Sequence, residues 1–142
     1  MTINNIITTI LSIISIIISL STLIYTIINS QEAQKVSWGQ LEYSMRTHID
    51  SARNNLTNAL MIDDHSEKHK QFIRVKIEEL LNSYEEACAK YLDNKVDKKR
   101  FHNTYFGEIQ KLVETDDFKE YFQFGSNYDA IKTVYNEWFK LD

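Results

Sequence analysis

The densest group of side chains able to do chemistry is Asp63-Asp64-His65-Ser66-Glu67-Lys68-His69. Two imidazoles four residues apart share one face of a helix, the spacing at which a single element grips a zinc ion. The zincin pattern puts a glutamate general base directly after the first histidine, and Ser66 stands there instead. A third ligand would have to come from the flexible Asp63 or Asp64, so the segment reads as a solvated, charge-rich helix start and no metal or cofactor is expected. A metal-dependent enzyme built on the pair is the remaining catalytic alternative, and it would carry about one equivalent of metal.

Other candidates are weaker still. Arg46-Thr47-His48 and Arg100-Phe101-His102 have the wrong spacing for a helical ribonuclease of the Arg…His type. The pairs Glu78-Glu79 and Glu85-Glu86 diverge around a helix, so they read as solubilising charge and not as an acid and base aimed at one substrate. Cys88 lies on an apolar stripe with no histidine near it in sequence, as a buried structural thiol does. Phosphate loops, dinucleotide fingerprints and the hydrolase nucleophile elbow are missing. No catalytic residue is expected, and the chain does not read as an enzyme.

The elements that must position these residues follow from composition. The 142 residues contain 16 basic and 20 acidic side chains, no proline, three glycines and one cysteine. The lone cysteine excludes an internal disulfide, and a net charge of −4 argues against nucleic acid. With 43% hydrophobic residues and so little punctuation, the expectation is an all-α protein. Residues 1–30 contain no Asp, Glu, Lys, Arg or His, so the whole formal charge falls on residues 31–142.

Residues 6–28 form an uncharged apolar run of 23, about 34 Å as a helix against a hydrocarbon core of about 30 Å. A cleaved signal peptide would need a basic leader, a shorter apolar core and a small-residue cleavage site, so an uncleaved transmembrane helix is expected over residues 1–30. Lys35, Arg46 and Arg53 lie on its C-terminal side, which places residues 31–142 in the cytosol.

Polar residues inside this span are ordered. Asn5, Thr8, Ser12, Ser15, Ser19, Thr22, Thr26 and Asn29 follow alternating steps of three and four, a heptad seam on one helix face. Small hydroxyl residues let helices approach closely in lipid and bond across the contact. The chain has no second hydrophobic run, so the helix facing this seam belongs to another copy, which makes a homo-oligomer the expectation, or to another protein. The plainer alternative is that each hydroxyl bonds its own backbone one turn earlier and the helix is a passive anchor.

Residues 31–142 read as an antiparallel bundle of four or five helices. The first continues from the membrane to about Ile62 with Trp38, Leu41, Met45, Ile49, Ala52, Leu56 and Leu60 at helical spacing. Asp64 and Glu67 suggest a capping box for the second, which carries Ile73, Ile77, Leu80, Leu81, Tyr84, Cys88, Tyr91 and Leu92. Asp97 caps a third, Thr115 or Asp116 a short fourth, and Ser126 with Asp129 starts the last. The C-terminal half is rich in aromatics that should form the core. Phe106, Phe124, Tyr128 and Phe139 are the ones assigned to an exposed face that contacts a protein partner.

Leu80-Leu81-Asn82-Ser83-Tyr84-Glu85-Glu86-Ala87-Cys88, then Tyr91-Leu92-Asp93, Phe101, Tyr105 and Glu108-Ile109, resemble a pattern in small uncharacterised bacterial proteins. The string from Tyr128-Asp129-Ala130-Ile131-Lys132 to Glu137-Trp138 is similar too. Such proteins commonly carry one N-terminal membrane helix before a helical domain, and some relatives lie among phage-defence genes. The resemblance covers about residues 70–140 and brings no catalytic motif. It implies a bacterial single-pass membrane protein with a defence association; with the seam, the expectation is a protein whose assembly perturbs the membrane, the alternative being an anchored helical domain that recruits a cytosolic complex.

Overall fold

The computed structural model describes residues 3–123 and 125–140. These residues are helical with short connections, in the order α1 (Ile3–Leu60), α2 (Glu67–Leu92), α3 (Lys98–Glu114), a 3₁₀ helix (Asp116–Phe122) and α4 (Asp129–Phe139). They fall into two compact units, Met1–Ser37 and Trp38–Asp142.

In Met1–Ser37 the described residues are helical and exposed throughout. Among the described residues, α1 is the helix long and apolar enough to cross a membrane, and its apolar window is wholly unburied.

In Trp38–Asp142 the helices share one apolar core. Met45, Ile49, Ala52 and Leu56 of α1 enter it with Leu80, Leu81, Tyr84, Ala87, Cys88 and Tyr91 of α2, Phe101, Tyr105, Ile109 and Leu112 of α3, and Ile131 and Val134 of α4. These are the positions that helical periodicity selects, since one face of each helix is apolar. At the end of α1, Ala59 is buried and Leu60 exposed, the reverse of the expected pattern, because a step of three from Leu56 and not of four keeps the stripe on the packed face. The 3₁₀ helix packs on α3, and α4 packs on both α2 and α3.

The caps correct the sequence reading in two places. At α2 the N-cap is Ser66 and not Asp64: the Ser66 hydroxyl accepts the His69 backbone N–H at 3.2 Å. Asp64 stands behind it, accepting the Ser66 backbone N–H at 2.8 Å. At α4 neither Ser126 nor Tyr128 caps with a side chain. The backbone N–H groups of Ala130 and Ile131 instead donate to the Glu85 carboxylate of α2 at 2.8 and 2.9 Å. Asp97 caps α3 as expected, through the Arg100 backbone N–H at 2.9 Å. Asn94, at φ 56°, ends α2 in the left-handed conformation that an asparagine tolerates, while Lys95 N–H bonds back to the Lys90 carbonyl at 2.9 Å.

Candidate functional site

The hydroxyl residues of the unit Met1–Ser37 sit on an exposed helix face. Thr8, Ser12, Ser15, Ser19, Thr22 and Thr26 each donate to the carbonyl four residues earlier, at 2.8–2.9 Å. Off the seam, Thr9 does the same with the Asn5 carbonyl at 2.8 Å. Each donor is thereby satisfied within its own helix, which lowers the cost of placing a hydroxyl in hydrocarbon. What the face then offers a neighbour is small size and acceptor lone pairs rather than free O–H groups. Asn5 and Asn29, at the two ends, carry amide donors that a hydroxyl-type back-bond does not satisfy.

The histidine pair does not form a joint face. His65 lies before the Ser66 cap and its side chain is 91% exposed, near Asp63 at 3.8 Å, whereas His69 is buried in the first turn of α2. Capping by Ser66 starts the helix at Glu67, two residues after His65, so the four-residue register never becomes a helical one. The buried His69 Nε2 has no hydrogen-bond partner among the described residues. No group of three or more His, Cys, Asp and Glu side chains among the described residues is placed to hold a metal ion.

Of the aromatics assigned to a partner face, Phe106 and Phe139 are half-buried and touch, with ring centroids 4.4 Å apart. Tyr135 stacks on Phe139 at 4.9 Å, and His102 packs between Phe106 and Trp138 at 4.8 Å from each. Together they make an aromatic surface on α3 and α4. Tyr128 does not belong to it: at 8% exposure it is a core residue that packs on Phe122 at 5.9 Å, because the chain turns inward there to begin α4. Phe124 lies outside the described residues.

Periodicity missed the polar ties that cross the core. Arg53 of α1 donates to the Tyr84 hydroxyl at 2.6 Å, Tyr84 donates to Glu108 of α3 at 2.6 Å, and Arg53 meets the same carboxylate at 3.1 Å. Burial, reinforced by the Glu108 hydrogen bond and charge, pushes the Tyr84 phenol well above its ordinary range. Tyr91 of α2 donates to Glu137 at 2.7 Å and accepts from the Trp138 indole at 3.2 Å. The available signal was a tyrosine on an apolar stripe, whose hydroxyl needs a partner once buried. Glu85, read as solubilising charge, is the cap of α4. Cys88 is fully buried, and burial followed by the Glu85 charge pushes its thiol far up, which leaves it a poor nucleophile.

No protein-family model, curated protein or solved structure matches the chain.

Proposed function

We propose that this chain is a single-pass membrane protein that self-associates through Asn5, Thr8, Ser12, Ser15, Ser19, Thr22, Thr26 and Asn29, while an antiparallel helical bundle over residues 38–140 docks a protein partner. The observation that carries this reading is the exposed, uncharged run of residues 6–28, whose seam hydroxyls are satisfied within the helix. An apolar surface of that length is stable where lipid replaces water. The small-residue face then marks the side on which a second helix comes close. Lys35, Arg46 and Arg53 support a cytosolic bundle, and the inner membrane of a bacterium is the location the sequence resemblance implies. The work is binding and assembly, not catalysis. As a defence effector the protein would perturb the membrane on assembly, with leakage on overexpression as the readout.

Single cysteines at Ser12, Ser15, Ser19 or Thr22, compared with Ile14, Ile17 or Ile18 in a Cys88-free background, test the contact by disulfide crosslinking in membranes. Fast crosslinking confined to the first group is expected. Equal rates in both groups would sink self-association. The complete back-bonding of the described seam hydroxyls favours a second reading, in which the helix is a passive anchor for an adaptor that recruits a cytosolic complex.

A further inference from the structure

Within the unit Trp38–Asp142, α1 and α3 enclose an open cavity of ≈ 220 Å³. Arg46 of α1 and Arg100 of α3 stand on its walls, Tyr105 of α3 lines it, and Gly39 and Tyr43 form its α1 side. Tyr105 is 95% buried by its 5% exposure, yet no side-chain hydrogen bond to its hydroxyl enters among the described residues. The neighbouring buried phenols Tyr84 and Tyr91 each donate to a glutamate. Tyr105 lines this cavity, and its hydroxyl is not among the buried polar atoms left without a partner among the described residues. Burial, then the Glu108 charge, with Asp50 and Glu42 acting the same way against Arg46, raises its pKa.

The two guanidinium groups are held differently. Arg100 is anchored by Glu42, whose other oxygen accepts the Asp97 backbone N–H at 3.3 Å, so Glu42 positions Arg100 and is itself occupied. A guanidinium has five N–H donors, and this pair leaves others open. Arg46 is 70% exposed and only loosely paired with Asp50 at 3.9 Å, which leaves it able to swing over the cavity. The charged lining residues are Arg46, Arg100 and Glu42; Glu42 pairs with Arg100, Asp50 with Arg46, and Asp97 accepts the Arg100 backbone N–H. Three donors on two helices can each reach a separate terminal oxygen of a tetrahedral anion, one donor to each. At Gly39 an added Cβ would meet no atom within 4 Å, so the glycine keeps the cavity's α1 side open at about 1 kcal/mol of helix propensity.

We propose that this cavity binds the phosphate group of a phosphate monoester, with Arg46, Arg100 and Tyr105 donating to its oxygens and Tyr43 flanking the group that the phosphate carries. The site is complete within Trp38–Asp142 and does not depend on the membrane reading.

Isothermal titration calorimetry tests it on the full chain in phosphatidylcholine nanodiscs, with glycerol 3-phosphate as probe. Saturable binding below about 1 mM is expected. Arg46→Gln and Tyr105→Phe should each weaken it about tenfold, the scale of one hydrogen bond to a charged group. Gly39→Leu should abolish it while leaving the helical circular dichroism and melting temperature at least as high, since leucine is the better helix former. Repeating the titration in nanodiscs containing phosphatidic acid identifies the source. A tenfold or greater loss of affinity for the soluble ester shows the site filled by a lipid headgroup, and unchanged affinity assigns it to a free ester. Absence of binding at 10 mM, or saturable binding that Gly39→Leu and Tyr105→Phe leave intact, overturns the proposal.

Discussion

Two stretches of α1 repeat at the same alternating spacing of three and four, and their surroundings are opposite. Met45, Ile49, Ala52, Leu56 and Ala59 are apolar residues on a largely polar stretch, and the other helices of Trp38–Asp142 bury them. Thr8, Ser12, Ser15, Ser19, Thr22 and Thr26 are polar residues on an apolar stretch, and all are exposed. Spacing identifies a face, and the contrast between that face and its flanks identifies the solvent. An apolar stripe among polar flanks is driven together by water. A hydroxyl stripe among isoleucines has no such drive, and what it offers a neighbouring helix is close approach.

The comparison breaks most easily at Ile49. Ile49→Ala should cost about 2–5 kcal/mol of unfolding free energy, because the side chain is almost fully buried and the surrounding core relaxes only partly. Chemical denaturation in detergent followed by Trp38 and Trp138 fluorescence measures it, and Ser15→Ala should leave the same curve unmoved. Comparable losses from both variants would mean that the exposed stretch also stabilises the folded unit.

Raising the pH gives the next largest effect, and it acts on the unit Trp38–Asp142, which holds Cys88. An unfolded cysteine ionises near pH 8.5, whereas the buried Cys88 thiol holds its proton, so above that pH the folded state binds more protons than the unfolded one. Stability therefore falls as pH rises, by about 2 kcal/mol between pH 8 and pH 10. Cys88→Ala should flatten that window, leaving a decline that starts near pH 10, where the unfolded Tyr84 phenol ionises and the folded one does not. A Cys88→Ala profile with the original slope would show that the thiol is not the titrating group.

Much of the buried stripe was legible because burial and periodicity are the same information on a helix, as Leu81, Ile109, Ile131 and Val134 show. The ties between helices were not, because they join residues far apart in sequence by partner geometry. Glu85 looks like any solvated glutamate until the start of α4 is brought against it. Glu85→Ala should cost about 1 kcal/mol, the usual value of a helix cap, with faster amide exchange at Ala130 and Ile131. Unchanged exchange there would mean that packing of Ile131 and Val134 alone holds the helix end. The placement of the two histidines was not legible for the same kind of reason: which serine or aspartate caps α2 decides whether His65 is helical, and the two candidates are only two residues apart. The Tyr105 cavity had no linear signal, since its donors come from Arg46, Arg100 and Tyr105 on two helices.

The smallest effect sharpens the comparison furthest. Because the Ser15 hydroxyl already donates to the Leu11 carbonyl at 2.9 Å, Ser15→Ala removes little that a partner helix could use. It should change association by no more than about 0.6 kcal/mol, a typical value for an interhelical polar contact. Ser15→Leu keeps the helix and its length but thickens the face, so seam-specific crosslinking from Ser19 should collapse if close approach is what the face supplies. Retained crosslinking in Ser15→Leu with loss in Asn29→Leu would move the contact to the amide ends. Loss in neither would leave the alternating hydroxyls as internally satisfied polar groups, and the resemblance between the two stretches of α1 would then be one of spacing without a shared role in packing.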